Sequence, residues 1–131
     1  MSGYIFEGNY KNKEAQIKVK LLLLHFMDEN EVHFIYSPHL DLSGYGYNFI
    51  EARNSFEIVF HDFIEHTIEK NSLGQVLSDL GWSIEQNQHI LQKIMAPSIT
   101  SVIGKNKHVS EIFDKYAVNT FHEEVGLPAT V

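Results

Sequence analysis

The sequence predicts an α+β domain in which an antiparallel β-hairpin or three-stranded sheet carries one long amphipathic helix on one face. Two apolar patterns predict this class. Within residues 17–37 apolar residues tend to alternate with other residues, as in strands, and from Asn48 onward they recur at steps of three and four, as in a helix. The chain has 131 residues, of which 44% are hydrophobic, and this size fits one domain with its own core.

The part with period two contains two strands and the start of a third. Residues 17–27 begin with alternating apolar and lysine positions and become apolar on both faces, as a central strand does. A short polar turn leads to a second, antiparallel strand at residues 32–37. Pro38 ends that strand because proline cannot donate a backbone hydrogen bond. A third short strand with a bend is expected within residues 41–47, which contain two glycines.

The long helix begins at a capping signal. Asn48 can accept a hydrogen bond from a free amide of the first turn, and Glu51, three residues later, can reach back. The helix is expected to cover residues 48–70 and to lie on the sheet. The residues expected to face the sheet are Phe49, Ala52, Phe56, Phe60 and Phe63.

The C-terminal third has weaker patterns. The expected elements are a helix that starts at a capping pair of Ser72 and Gln75 and ends at Gly81, a strand at 82–84, a helix at 90–94 that stops before Pro97, a helix near 109–113, and a last strand at either 116–120 or 121–125. The chain is predicted to be a single domain over 1–131 with its core at about 15–85. Residues 86–131 are expected to form an extension packed on that core.

This extension is not expected to be a separate DNA-binding domain. After Trp82 the chain has four lysines, no arginine and five acidic residues, whereas a DNA-reading module has a basic face.

Negative charge is concentrated in the middle of the chain. The net charge is −7, and the segment 28–69 contains nine acidic residues but only one basic residue, Arg53. Such a segment either keeps the protein soluble as a solvated face or docks a basic partner. The acids that would project together are Asp28, Glu29 and Glu31 in the hairpin turn and Glu57, Asp62, Glu65 and Glu69 on the helix. Nucleic acid is a poor partner for this surface because it is bound through lysine and arginine.

The residue patterns indicate no catalytic residues, no cofactor and no metal site. Because there is no cysteine, thiolate chemistry and disulfides are excluded. The two glycines at 44 and 46 match no phosphate-binding loop, and His61, Glu65 and His66 lack the order of a helical zinc site. No apolar run is long enough to span a membrane and no signal peptide is visible, so a cytoplasmic location is expected.

Residues 17–65 resemble the HicB antitoxin family. The resemblance is carried by one motif, which consists of Pro38, Leu40, Gly44, Gly46, Asn48, Glu51 and Ala52. Asn48 replaces the threonine that is usual there, and both residues cap a helix.

The resemblance implies a partial RNase H-like fold, self-association as a homodimer or higher homo-oligomer, and a role in a toxin–antitoxin system. In that role the protein would cover a small basic HicA-like ribonuclease. Nuclease activity is expected to be absent because residues 17–27 contain no carboxylate. The alternative is a solitary oligomeric scaffold or small-ligand-binding domain without a toxin partner.

Overall fold

Ten elements follow one another in the computed structural model, which describes residues 16–87 and 90–128. In chain order they are β1 (Gln16–Met27), β2 (His33–Ser37), β3 (Leu42–Gly46), α1 (Phe49–Glu69), α2 (Leu73–Asp79), β4 (Ser83–Asn87), β5 (Ile90–Met95), α3 (Ile99–Lys105), α4 (Lys107–Lys115) and β6 (Asn119–Pro128). The predicted α+β class is confirmed. No helix in the described ranges has the length and apolarity needed to span a membrane.

The central sheet has four strands in the order β3-β2-β1-β6, and every neighbouring pair is antiparallel. The predicted hairpin is confirmed, with Leu24 opposite Tyr36 and Met27 opposite His33. The fourth strand, β6, lies beside β1, with Ile17 opposite Leu127. The strands β4 and β5 form a separate two-stranded sheet.

The two faces of β1 bury different layers because side chains alternate along a strand. Leu21 and Leu23 face α1 and are fully buried in a cluster with Phe56 and other residues of that helix. Leu24 and Phe26 lie in a second cluster, which contains Val102, Val109 and Ile112 from α3 and α4. The sheet is therefore covered on both faces, which explains why the end of β1 is apolar at successive positions.

Two glycines let α1 lie against the backbone of β3. A Cβ atom at Gly44 would overlap the backbone nitrogen of Phe56, and one at Gly46 would lie 2.7 Å from the backbone nitrogen of Ala52. At this close approach the amide of Tyr45 donates to Oγ of Ser55, 3.1 Å away. Helix α1 thus covers part of the β3 edge, which reduces the number of unpaired backbone groups that a second copy of the chain could pair with. Residues 4–6, an apolar segment that could form a short edge strand, lie outside the described residues.

The start of α1 has the predicted cap. The Asn48 side-chain oxygen accepts from the Glu51 amide at 2.9 Å, and Asn48 has the extended backbone of a cap residue. The Glu51 carboxylate reaches back, but it accepts from the Tyr47 amide, at 3.0 Å, and not from that of Asn48.

The face of α1 that is buried against the sheet differs from the predicted one at both ends of the helix. The buried residues of the helix are Ala52, Phe56, Phe60, Ile64 and Thr67. Phe63 is partly buried against the same core. Phe49 remains 37% exposed, because it lies beyond the close contact with β3 and packs on Phe121 and His25 instead.

Two predictions for the C-terminal third are wrong. Residues 90–95 form the strand β5 and not a helix, because five of the six residues pair with β4 across one register shift, and the short apolar run suits either structure. Ser72 precedes α2 but makes no side-chain capping bond, since its backbone is not extended (φ −119°, ψ 4°), and Gln75 donates to Asp79. Gly81 does follow the end of α2 with a positive φ of 93°, as predicted.

The last strand follows the second of the two patterns considered for it. It covers Asn119–Pro128, so the alternation at Phe121, Glu123 and Val125 was the relevant one. Residues 116–118 instead end α4 and connect it to β6.

Candidate functional site

The hairpin-turn acids have different roles. Oδ1 of Asp28 accepts from the amides of Asn30, at 2.9 Å, and Val32, at 3.0 Å, so this carboxylate shapes the turn. Glu29 and Glu31 are exposed, and Glu31 has a positive φ of 62°. Two of the three acids, Asp28 and Glu29, line a cleft on the side of the sheet that α4 covers.

The helix acids lie on the opposite layer, along the outer face of α1. Asp62, Glu65 and Glu69 follow Ile58 at four, seven and eleven residues, which places all four on one stripe of the helix. We call these four residues the Ile58 stripe. Ile58 is 64% exposed, although isoleucine is usually buried. Glu57 lies on the flank of this stripe and is half-buried.

The charge on α1 is not balanced by its own arginine. Nε of Arg53 lies 3.4 Å from Oε1 of Glu123 on β6, so this guanidinium is directed toward the sheet and away from the Ile58 stripe. Nε2 of His61 lies 3.9 Å from Oε1 of Glu65, which is four residues later on the same helix. An imidazole–carboxylate pair at this distance stabilises the helix by about 0.3 kcal/mol at most.

The structure separates the predicted docking residues into two groups. Helix α1 starts near the hairpin, where the Phe49 ring lies 4.9 Å from that of His25, and then runs away from it along β3. At 1.5 Å per residue, Asp62 lies about 20 Å along the axis from Phe49. The hairpin acids and the distal helix acids therefore form two surfaces, one on each side of the sheet.

The motif residues lie where β2, β3 and α1 meet. Pro38 and Leu40 are buried in the turn after β2, where the Leu40 amide donates to Oγ of Ser37 at 3.2 Å. Gly44 and Gly46 permit the close approach of α1, Asn48 and Glu51 form its cap, and Ala52 is its first buried residue. Most of these positions stabilise the helix on the sheet, and Pro38 also borders a cleft that contains Asp41 and His108.

A polar connection between β2 and the α3–α4 junction was not evident from the sequence. The Tyr36 hydroxyl donates to Oδ1 of Asp41 at 2.7 Å and accepts from Nδ2 of Asn106 at 3.2 Å. Burial and the Asp41 carboxylate raise the pKa of Tyr36 well above its usual range. The phenol therefore stays protonated and keeps its hydrogen bonds to both neighbours. Tyr36 and Asp41 are five positions apart, but Asn106 is 70 positions from Tyr36, so no local spacing relates Asn106 to the pair.

Two buried ring side chains, those of Trp82 and His39, connect the Pro38 turn to the C-terminal half. Nε1 of Trp82 donates to the backbone oxygen of His39 at 2.8 Å, and Nε2 of His39 donates to that of Pro97 at 2.9 Å. Burial lowers the pKa of His39, which keeps this imidazole neutral and its single N–H directed at Pro97.

A histidine pair lies on the α1 side of the sheet, at the end near the hairpin. Nε2 of His25 and Nδ1 of His33 are 2.9 Å apart and share a hydrogen bond. Burial, and then the charge of His33, lower the pKa of His25. His25 lies before the hairpin turn and His33 after it, so their pairing depends on the register of β1 and β2.

No cluster of three or more histidine or carboxylate side chains suited to a metal ion occurs in residues 16–87 and 90–128. Two surface features of the described residues remain as candidate binding sites, the Ile58 stripe on one layer and an aromatic cleft with carboxylates on the other. No family model matches this chain, and the searches of curated proteins and of solved structures also give no match.

Proposed function

We propose that this chain is a HicB-like protein-binding domain that sequesters a small basic protein, such as a HicA-like ribonuclease, through the outer face of α1. The observation that carries the proposal is Ile58, which is 64% exposed at the head of a stripe of carboxylates. Protein interfaces have an apolar centre and a polar rim, and Ile58 with its carboxylate neighbours has this arrangement. The motif from Pro38 to Ala52 supports the family part of the proposal.

The two kinds of residue in the stripe have separate tasks. Ile58 fills an apolar pocket of the partner and is released slowly from it, since buried anchors determine most of the binding energy. Asp62, Glu65 and Glu69 attract the positive surface with which a ribonuclease holds RNA, and they therefore compete with its substrate. Such charges act mainly on the association rate and weaken with salt, because the Debye length falls from ~10 Å at 0.1 M to ~3 Å at 1 M.

The test uses the product of a neighbouring short basic reading frame, or a protein captured from the native host, as the partner. Replacing Glu57, Asp62 and Glu65 together by lysine is expected to slow association at low salt and to have less effect at high salt. Ile58→Ser is expected to weaken binding by about tenfold or more, chiefly through faster dissociation.

A matched control is available on the other layer. Glu111 and Asp114 are exposed on α4, and their replacement by lysine changes the net charge in the same direction. If this control slows association as much as the α1 reversal, the effect is one of total charge and the α1 site is wrong. If Ile58→Ser has no effect on a partner that does bind, the anchor is wrong.

Self-association remains a prediction. Light scattering at micromolar concentration is expected to give a mass above the 15.1 kDa of one chain. A value near 15.1 kDa would contradict the homodimer and the larger homo-oligomers.

A further inference from the structure

A small aromatic cleft lies between the end of the β1–β2 hairpin and α4, on the side of the sheet opposite α1. Its volume is about 250 Å³. The residues that matter for its chemistry are Phe26, Phe34 and Tyr116 in the wall and Asp28 and Glu29 at the hairpin turn. Pockets for drug-sized ligands are typically ~300–1,000 Å³, so this one suits a single side chain or a small molecule.

Three aromatic rings of the cleft stand in a nearly parallel row. The centroid of Phe26 lies 5.4 Å from that of Phe34, with 13° between the planes, and 4.9 Å from that of Tyr116, with 22° between them. Phe26, in the middle, is 8% exposed, and the two outer rings are half-buried. The outer rings can therefore meet a ligand while Phe26 fixes their orientation.

A cation already lies on this row. Nζ of Lys115 is 5.5 Å from the centroid of Tyr116, within the ~6 Å over which a ring attracts a positive charge. Asp28 and Glu29 add negative charge beside the same ring, and both of them also border the surface groove that contains Lys115. Aromatic faces together with carboxylates favour a cationic ligand and disfavour an anionic one.

We propose that this cleft binds a guanidinium group. Guanidinium is planar and can stack on an aromatic ring, and it has a row of N–H donors that carboxylates accept. A small ammonium group can donate to carboxylates but cannot stack flat on a ring. The proposal is independent of the α1 interface, because the two surfaces lie on opposite layers of the domain.

Titration calorimetry or NMR tests the proposal with two sources of the same group, ethylguanidinium and a blocked tripeptide with a central arginine. The same peptide with citrulline in place of arginine keeps the shape and loses the charge. The arginine peptide or ethylguanidinium is expected to bind, and the citrulline peptide is expected to bind about tenfold more weakly or not at all. Tighter binding of the peptide than of ethylguanidinium identifies a protein side chain as the source, and tighter binding of ethylguanidinium identifies a free small molecule.

Two matched variants locate the site. Glu29→Gln is expected to weaken binding about three- to tenfold, whereas Glu31→Gln, in the same exposed turn but outside the cleft, is expected to leave it unchanged. Lys115→Met removes a competing cation from the Tyr116 ring and is expected to tighten binding. Urea denaturation confirms that each variant is folded.

Three results would overturn the proposal. One is the absence of arginine and ethylguanidinium binding at millimolar concentration to the folded protein. Another is equal affinity for the arginine and citrulline peptides. The third is equal weakening by Glu29→Gln and Glu31→Gln, which would indicate a general effect of surface charge.

Discussion

Replacing Gly44 by alanine should lift helix α1 from strand β3. The added Cβ would overlap the backbone of Phe56, and its neighbours there are backbone atoms of Ser55 and Phe56. Such atoms cannot rotate away as a flexible side chain can, so the whole helix must shift. The Tyr45 amide would then lose its bond to Oγ of Ser55.

The expected loss of stability in Gly44→Ala is the sum of three contributions. Overpacking a well-packed site costs about 1–3 kcal/mol. Loss of the Tyr45–Ser55 hydrogen bond adds about 0.5–1.5 kcal/mol, and alanine returns about 0.5–1 kcal/mol because it restricts the unfolded chain more than glycine does. The free energy of unfolding is therefore expected to fall by about 0.5–4 kcal/mol, and the middle of that range moves the urea midpoint by about 1 M.

The assay is urea denaturation followed by fluorescence of Trp82, the single tryptophan, which is 4% exposed. Gly104→Ala is the matched control, because nothing lies within 4 Å of a Cβ at that position in α3. This control is expected to stabilise the protein by about 0.8–1 kcal/mol through helix propensity. Wild-type stability for Gly44→Ala, or equal destabilisation by both changes, would refute the close contact of α1 with β3.

The remaining predictions concern the cap, the histidine pair and the tryptophan bond. Asn48→Ala is expected to lower the free energy of unfolding by about 0.5–2 kcal/mol, whereas Asn48→Thr is nearly silent, and equal urea midpoints for alanine and wild type would contradict the cap. The pKa of His25 is lowered in the folded state, so as the pH falls this residue is protonated in the unfolded chain before it is protonated in the folded chain. The free energy of unfolding is therefore expected to decline as the pH falls below about 6.5. His33→Gln should make that decline shallower between about pH 7.5 and 5.5, and an unchanged pH profile would count against the pair. Trp82→Phe should cost about 1–3 kcal/mol in thermal or chemical unfolding, since the buried oxygen of His39 loses its donor; no change would show that water replaces it.

Local patterns determined the N-terminal half of this protein. The alternation in β1 and β2, the stop at Pro38 and the cap at Asn48 depend on residues at most four positions apart, and each was confirmed. A stripe of period 3.6 also predicted which side of α1 faces the sheet, apart from Phe49 at its end. Backbone geometry fixes these periods whatever surrounds the element.

Tertiary structure alone decided where the C-terminal half goes and which surfaces exist. The apolar run in β5 suited a helix as well as a strand until pairing with β4 satisfied its backbone, and the place of β6 beside β1 depends on pairing over about 100 residues of chain. The packing of α1 and α4 on opposite faces of the sheet put the two groups of acids on opposite layers and brought Tyr116 beside Phe26. A sequence pattern reports the spacing of side chains along one element, whereas a binding surface is made where separate elements meet, and that meeting is determined by the packing of the whole core.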